Sequence, residues 1–223
     1  MPTLGYWKTK GLAQPIRLLL TYAGEEFEDV QYEQGPPPDF SRESWYSVKP
    51  KFGEIFSFPN LPYIASSSGW KKTDSGLFIA LKYILSFYVT LDGDTDKEKA
   101  IVDMIIDEAM DLRLGVIKIT YTSVENYEKW KPDYFKTVPT KLAQFERHLG
   151  ENDWFAGEKI TAADFSMYEI LIQHRRMQSD SLDAFPKLRA FLDRFECLPR
   201  VKEYLSLDKV KNLPTSSKIA VPI

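Results

Sequence analysis

Leu61-Pro62, within Phe58-Pro59-Asn60-Leu61-Pro62-Tyr63-Ile64-Ala65, is a place where the backbone itself can do chemistry. Proline has no N–H and cannot pair from the middle of a sheet, so Pro62 opens a short β-leaning run and Leu61 lies in the loop entering it. An X-Pro bond at such a corner is a candidate cis peptide. A cis bond there turns the N–H and C=O of Leu61 away from the sheet, where a peptide-like ligand can pair with them as an added strand would. The same residues also make an ordinary strand-entry turn with no ligand, and the stretch alone leaves both readings open. Metal chemistry has little to draw on, with two histidines, His148 and His174, and one cysteine, Cys197. His174 with Arg175 and Arg176 reads as a solvated or capping cluster, and Cys197 as a helix residue without a role.

The elements that must position this stretch fall into two textures. Residues 3–7 form a β-leaning run broken by Gly11. A helix follows, with Pro15 in its first turn and Gly24 placed to end it. Residues 27–32 read as a second strand, the prolines of 36–38 as a stiff loop, and 42–48 as a short helix around Trp45. Tyr63 to Ala65 is a third strand, 66–69 a turn and 70–73 a fourth strand. Asp74 or Ser75 then caps a helix running to about residue 86. This predicts one α/β layer of order β-α-β-(α)-β-β-α.

After about residue 92 no strand-like alternation is left. Thr95-Asp96-Lys97-Glu98 is a capping box, opening a long helix that carries Met110 and can run past Tyr121. Further helices are expected over 127–130, 140–149 and 161–176, the last opened by a second box at Thr161 to Asp164. One more starts at Pro186 and stops near Pro199. The boundaries predicted are an α/β domain over 1–87, a linker over 88–92 and an all-helical domain over 93–223.

The composition of the 223 residues is that of an ordinary globular protein, 43% hydrophobic and 27% charged, with a formal net charge of −3. The charges are interspersed without a basic stripe, which argues against nucleic acid as a partner. A single cysteine fits a reducing compartment. With no apolar run of membrane-spanning length and no basic-then-apolar leader pattern, the expectation is a cytoplasmic protein without membrane insertion.

Five blocks, in order, carry a resemblance: Leu4-Gly5-Tyr6-Trp7; Gly11-Leu12-Ala13-Gln14-Pro15-Ile16-Arg17; Phe58 to Tyr63; Ala109-Met110-Asp111-Leu112-Arg113; and Leu182 to Leu188. They are the strongest pieces of a match that covers nearly the whole chain, and the chain resembles the cytosolic glutathione transferases, most closely the mu class of the 26-kDa type. The resemblance implies a thioredoxin-like N-terminal domain with an all-α C-terminal domain carrying the electrophile pocket. It implies a homodimer that conjugates reduced glutathione to hydrophobic electrophiles in detoxification, with glutathione as co-substrate and no permanently bound cofactor or metal. The rival reading is a carrier of apolar ligands, or a structural relative with a weakened glutathione site.

By the same resemblance, Tyr6 is the catalytic tyrosine. Trp7, Leu12, Arg42, Trp45 and a lysine serve the glutathione site, the lysine being Lys49 by spacing or Lys51 by the Lys-Phe dipeptide. Asn60 and the Leu61 backbone hold the cysteinyl part, and a partner subunit's Asp111 meets the ammonium. Tyr121, Met110 and Ile117 line the electrophile pocket, and Phe58 is a key inserted into the partner's helical domain. One departure stands out. Where the family has Gln-Ser for the γ-glutamyl end, this chain has Asp74-Ser75. An aspartate repels a carboxylate and can only accept from the ammonium.

Overall fold

The computed structural model describes residues 1–54, 57–65, 81 and 91–223. The expected fourth strand, the helix after it, and Asp74 and Ser75 lie outside the described residues. Among those described, three strands form one mixed sheet in the order β2-β1-β3. β1 (Thr3–Trp7) is central, parallel to β2 (Glu28–Tyr32) and antiparallel to β3 (Tyr63–Ala65). The register sets Tyr6 opposite Gln31 and Gly5 opposite Tyr63. A Cβ on Gly5 would sit 2.1 Å from the Tyr63 ring, so only glycine admits that ring over β1.

A single 3-10 turn, Gly11–Ala13, leads into α1 (Gln14–Ala23), which crosses from β1 to β2. Pro15 sits in its first turn, and Gly24, at φ 76°, closes it with its N–H on the Leu20 and Thr21 carbonyls. The short helix expected over 42–48 is present as α2 (Glu43–Tyr46), which carries Trp45, and a second short helix, α3 (Lys49–Phe52), follows it with Pro50 in its first turn. The second strand begins one residue later than expected, leaving Phe27 in the loop. The Leu61-Pro62 bond is cis as the sequence suggested; Pro37-Pro38 is also cis, which was not anticipated.

From Asp96 onward the described elements are helices. α4 (Asp96–Thr120) starts at the Thr95 box, with Glu98 N–H on Thr95 Oγ1 at 3.2 Å and Thr95 N–H on Glu98 Oε2 at 3.0 Å. It stops at Thr120, and Tyr121 is its cap rather than an interior residue. α5 (Val124–Leu149) corrects the expectation of two helices, since it runs unbroken through Pro132 and Pro139. Each interior proline costs a helix about 3 kcal/mol. A buried stripe of Tyr127, Val138, Leu142, Phe145 and Leu149 offsets that cost by holding one face against the core.

α6 (Ala162–Met177) is buried almost all round, as befits the central helix of the core, and packs against α1 and α4. Its cap holds as expected, with Asp164 Oδ2 accepting from Thr161 N–H at 2.7 Å and Oδ1 from Phe155 N–H at 2.8 Å. His174 is wholly buried in this helix, which overturns the reading of it as solvated. α7 (Pro186–Glu196), α8 (Pro199–Ser206) and α9 (Asp208–Lys211) complete the helical part. Beyond them the chain returns to the sheet side: Pro214 and Thr215 accept from the backbone N–H groups of Lys10 and Gly11 at 2.7 and 3.0 Å. No helix among the described residues is long and apolar enough to cross a membrane.

Candidate active site

Tyr6 lies at the end of β1, 9% exposed, with its ring against the Gly11 turn. Gly11 has φ 40°, and a Cβ there would lie 2.7 Å from the Tyr6 hydroxyl. A left-handed conformation and a lack of space thus both require glycine. The turn aims the Leu12 N–H at Tyr6 Oη, 3.2 Å away. Burial raises the Tyr6 pKa; the Leu12 N–H, Arg113 and Arg17 pull it back, and Tyr121 raises it further. The phenol therefore keeps its proton at neutral pH. One of its lone pairs accepts from Leu12 and its O–H can donate to an anion.

The loop after β2 presents the cations. Trp45 is 2% exposed, packed among Tyr32, Phe52 and Tyr63 at ring separations of 5.2, 5.4 and 6.0 Å. Its ring is occupied in fixing the loop to the sheet. Arg42 and Lys49 each stand 5.9 Å from the centre of the Tyr46 ring, so two cations converge on one aromatic. Lys51 is exposed, whereas Lys49 is half-buried. Lys49 and Lys51 therefore differ in surroundings, Lys49 beside Arg42 and the Tyr46 ring and Lys51 in solvent.

At the entry to β3, Leu61 is buried and its N–H donates to Asn60 Oδ1 at 3.0 Å. A peptide ligand paired with that N–H would take the place of the Asn60 side chain. Phe58 is 74% exposed.

On α4, Asp111 is exposed, Met110 half-buried and Ile117 36% exposed. Asp111 shares its outer face with the exposed apolar residues Met104 and Leu114. Tyr121 is 43% exposed, and its hydroxyl accepts from Ser217 N–H at 3.5 Å. The chain beyond α9 continues across to the sheet side, where Lys218 donates through its N–H to Gln34 Oε1 at 3.0 Å and through Nζ to Gln34 O at 2.6 Å. Between this segment and β2 lies a cleft of about 1270 Å³, lined by Trp7, Thr9, Gln34, Thr215 and Ser217 among others. Met110, Ile117 and Tyr121 are not part of its lining.

Three residues near the site had no role assigned from the sequence. Arg113, 5% exposed, donates to Gly11 O at 3.3 Å. Glu169, 2% exposed on α6, accepts from Gln173 Nε2 at 3.2 Å and faces Arg113. Gln34 holds the terminal segment. The available signal was a charged residue in an otherwise core-facing stretch, as at Glu169 between Tyr168 and Ile170. For Gln34 and Lys218 the sequence carries no comparable sign.

Comparison with known proteins decides the family. Residues 110–208 match the model of the glutathione S-transferase C-terminal domain. The chain is 40% identical over 217 residues to glutathione S-transferase Mu 1 of Mus musculus, covering 97% of this chain and 96% of that one. It is 41% identical to glutathione S-transferase Mu 3 of Homo sapiens, over 97% of this chain and 93% of that one. The chain belongs to the mu-class glutathione S-transferases. Among solved structures, the transferase superposes on the glutathione S-transferase Blo t 8 with a TM-score of 0.86 at 29% identity, covering 98% of each chain. With the pi-class glutathione S-transferase of Onchocerca volvulus the TM-score is 0.83 at 26% identity, over 98% of this chain and 99% of that one. The sheet and helices described above are accordingly a thioredoxin-like N-terminal half followed by a helical C-terminal half.

Proposed function

We propose that this transferase ionises the thiol of reduced glutathione at Tyr6 and couples the thiolate to hydrophobic electrophiles. The observation that carries the reading is the Tyr6 hydroxyl itself, buried, protonated and aimed by the Leu12 N–H. A thiol of ordinary pKa, about 8.5, is mostly unreactive at neutral pH. Each unit of depression requires about 1.4 kcal/mol of preference for the anion. One charge-assisted hydrogen bond, at roughly 1.5–3 kcal/mol, supplies one to two units. The thiolate then attacks an electrophilic carbon; the new C–S bond takes the sulfur lone pair, and the leaving group departs with the electrons of its own bond. The thiol proton goes to solvent. No metal, resident cofactor or covalent enzyme intermediate enters.

Arg42 and Lys49 hold the glycyl carboxylate, with Trp45 anchoring their loop and Trp7 beside them. The Leu61 backbone and Asn60 take the cysteinyl peptide. The γ-glutamyl end falls to Asp74 and Ser75 with a partner subunit's Asp111, which fits an aspartate exposed on the outer face of α4. Phe58 is the key of a cytoplasmic homodimer. Leu12, Met110, Ile117 and Tyr121 face the electrophile, with Tyr121 placed to steady charge developing on it. The glutathione domain spans 1–87, the linker 88–92 and the electrophile domain 93–223. The test is to titrate the thiol of glutathione bound to the protein by the ultraviolet absorbance of its thiolate, alongside conjugation to a generic aryl halide. A bound thiol titrating no lower than free glutathione, with no conjugate formed, refutes the reading.

A further inference from the structure

We propose that Arg113 is a positioning residue for the reaction, holding the Gly11–Leu12 turn against Tyr6 and placing a buried positive charge behind the thiolate, with Glu169 setting how much of that charge the site feels. The inference rests on Tyr6 as the thiol-activating group. Its geometry is a short chain of contacts. Arg113 Nη1 lies 3.3 Å from Gly11 O, and Gly11 is packed so closely on Tyr6 that a Cβ would lie 2.7 Å from the hydroxyl. The next residue, Leu12, donates its N–H to that same hydroxyl at 3.2 Å. The guanidinium therefore grips the carbonyl side of the turn whose amide side aims the phenol.

The charge is as notable as the grip. Arg113 is 5% exposed, and a guanidinium that deep is kept only with a counter-charge or a task. Glu169, 2% exposed on the neighbouring helix, is the acidic group that faces Arg113; burial pushes its carboxyl toward the neutral form, and Arg176 and Lys10 also face that carboxyl. Tyr6 and Tyr121 face Arg113 from the site side and His174 from α6. Glu169 thus offsets the charge of Arg113 only in part, and Tyr6 faces that charge from the site side. Burial strengthens that field relative to one at the surface. A positive charge behind the phenol favours an anion in front of it, which is the thiolate.

Neutralising the charge should raise the pKa of the bound thiol, and neutralising Glu169 should lower it. Arg113→Met, Arg113→Lys, Glu169→Gln and Tyr6→Phe are compared with the wild-type protein in thiolate titrations and in pH profiles of kcat and of KM for an aryl halide. Arg113→Met is expected to raise the midpoint by about one unit, a tenfold loss of thiolate at neutral pH. Turnover should recover at high pH, and KM should change little. Arg113→Lys, keeping the charge, should keep most of the midpoint. Glu169→Gln should move it the opposite way, which simple loosening of the core would not do. Equal losses in Arg113→Met and Arg113→Lys at every pH, with the midpoint fixed, overturn the inference. Should Arg113→Met fail to fold, Glu169→Gln decides alone, and an unchanged or raised midpoint overturns it. If Tyr6→Phe titrates like wild type, the reading of Tyr6 itself has failed. If Tyr6→Phe shifts and the Arg113 and Glu169 variants do not, only the present inference has.

Discussion

Tyr6 Oη accepts a hydrogen bond from the Leu12 N–H across 3.2 Å, joining the end of the central strand to the first turn of the helical crossover. The bond fixes which way the phenol can act. With one lone pair engaged by Leu12 and its pKa raised by burial, the hydroxyl keeps its proton and can donate it outward to an anion.

Tyr6→Phe removes that donor while leaving the ring in place against Gly11. The thiol of bound glutathione should titrate one to two units higher, with kcat/KM at neutral pH falling about 10- to 100-fold. Thermal unfolding should shift little, since the lost hydroxyl has one protein partner. Stopped-flow titration of the thiolate checks the first statement and calorimetry the second.

Lys49 and Lys51 should separate in binding experiments. Lys49 shares the Tyr46 ring with Arg42, so Lys49→Ala should weaken glutathione binding about tenfold, in the range of one charge-assisted contact. Lys51→Ala should leave it within about twofold. Isothermal titration of both variants is the check, and a larger loss in Lys51→Ala would reverse the assignment.

Phe58 presents an aromatic side chain 74% exposed in one chain. Phe58→Ser should weaken self-association by at least about 2 kcal/mol, the range of an interface anchor. Sedimentation at micromolar concentration should show dimer for the wild type and dissociation for the variant. A monomeric wild type would remove both the key and the partner's share of the γ-glutamyl site.

His174 should make stability depend on acid. Its Nδ1 lies 2.8 Å from Ile170 O and its Nε2 2.8 Å from Tyr134 Oη. The carbonyl can only accept, so Nδ1 carries the proton and the tyrosine donates to Nε2. Burial depresses the folded pKa below the ordinary 6.5. Between that depressed value and 6.5 the unfolded chain binds more protons than the folded one, so stability falls as pH drops below 6.5. Urea unfolding followed from pH 7 downward should show a smaller acid loss in His174→Gln than in wild type.

How much of this was legible in the sequence depended on whether a residue's own chemistry announced its partner. Gly24, the Thr95 box and Pro62 each act within a few residues of themselves, and each lies where expected. Pro132 and Pro139 lie between the helices expected over 127–130 and 140–149, and their local penalty is outweighed by a buried face that only the tertiary structure supplies. His174 misled: flanking arginines suggested solvent, yet the helical turn that exposes Arg176 buries its neighbour two positions back. At the candidate site, the resemblance singled out Tyr6, and the structure buries it at the end of β1 with the Leu12 N–H on its hydroxyl. The different surroundings of Lys49 and Lys51 were not legible, since they turn on the ring of Tyr46. Arg113 reaches Gly11 across 102 positions, and nothing local encodes a contact of that range.

The pairing of Pro214 and Thr215 carbonyls with the Lys10 and Gly11 amides gives this transferase a built-in label for one motion. Those two amides belong by sequence to the start of the sheet domain, yet their protection from solvent deuterium is controlled by a segment some 200 residues later. Their exchange should therefore follow detachment of that segment and be insensitive to fraying of β2 or β3. A ligand that settles the segment would slow exchange at Lys10 and Gly11 while leaving the strand amides of β1 unchanged.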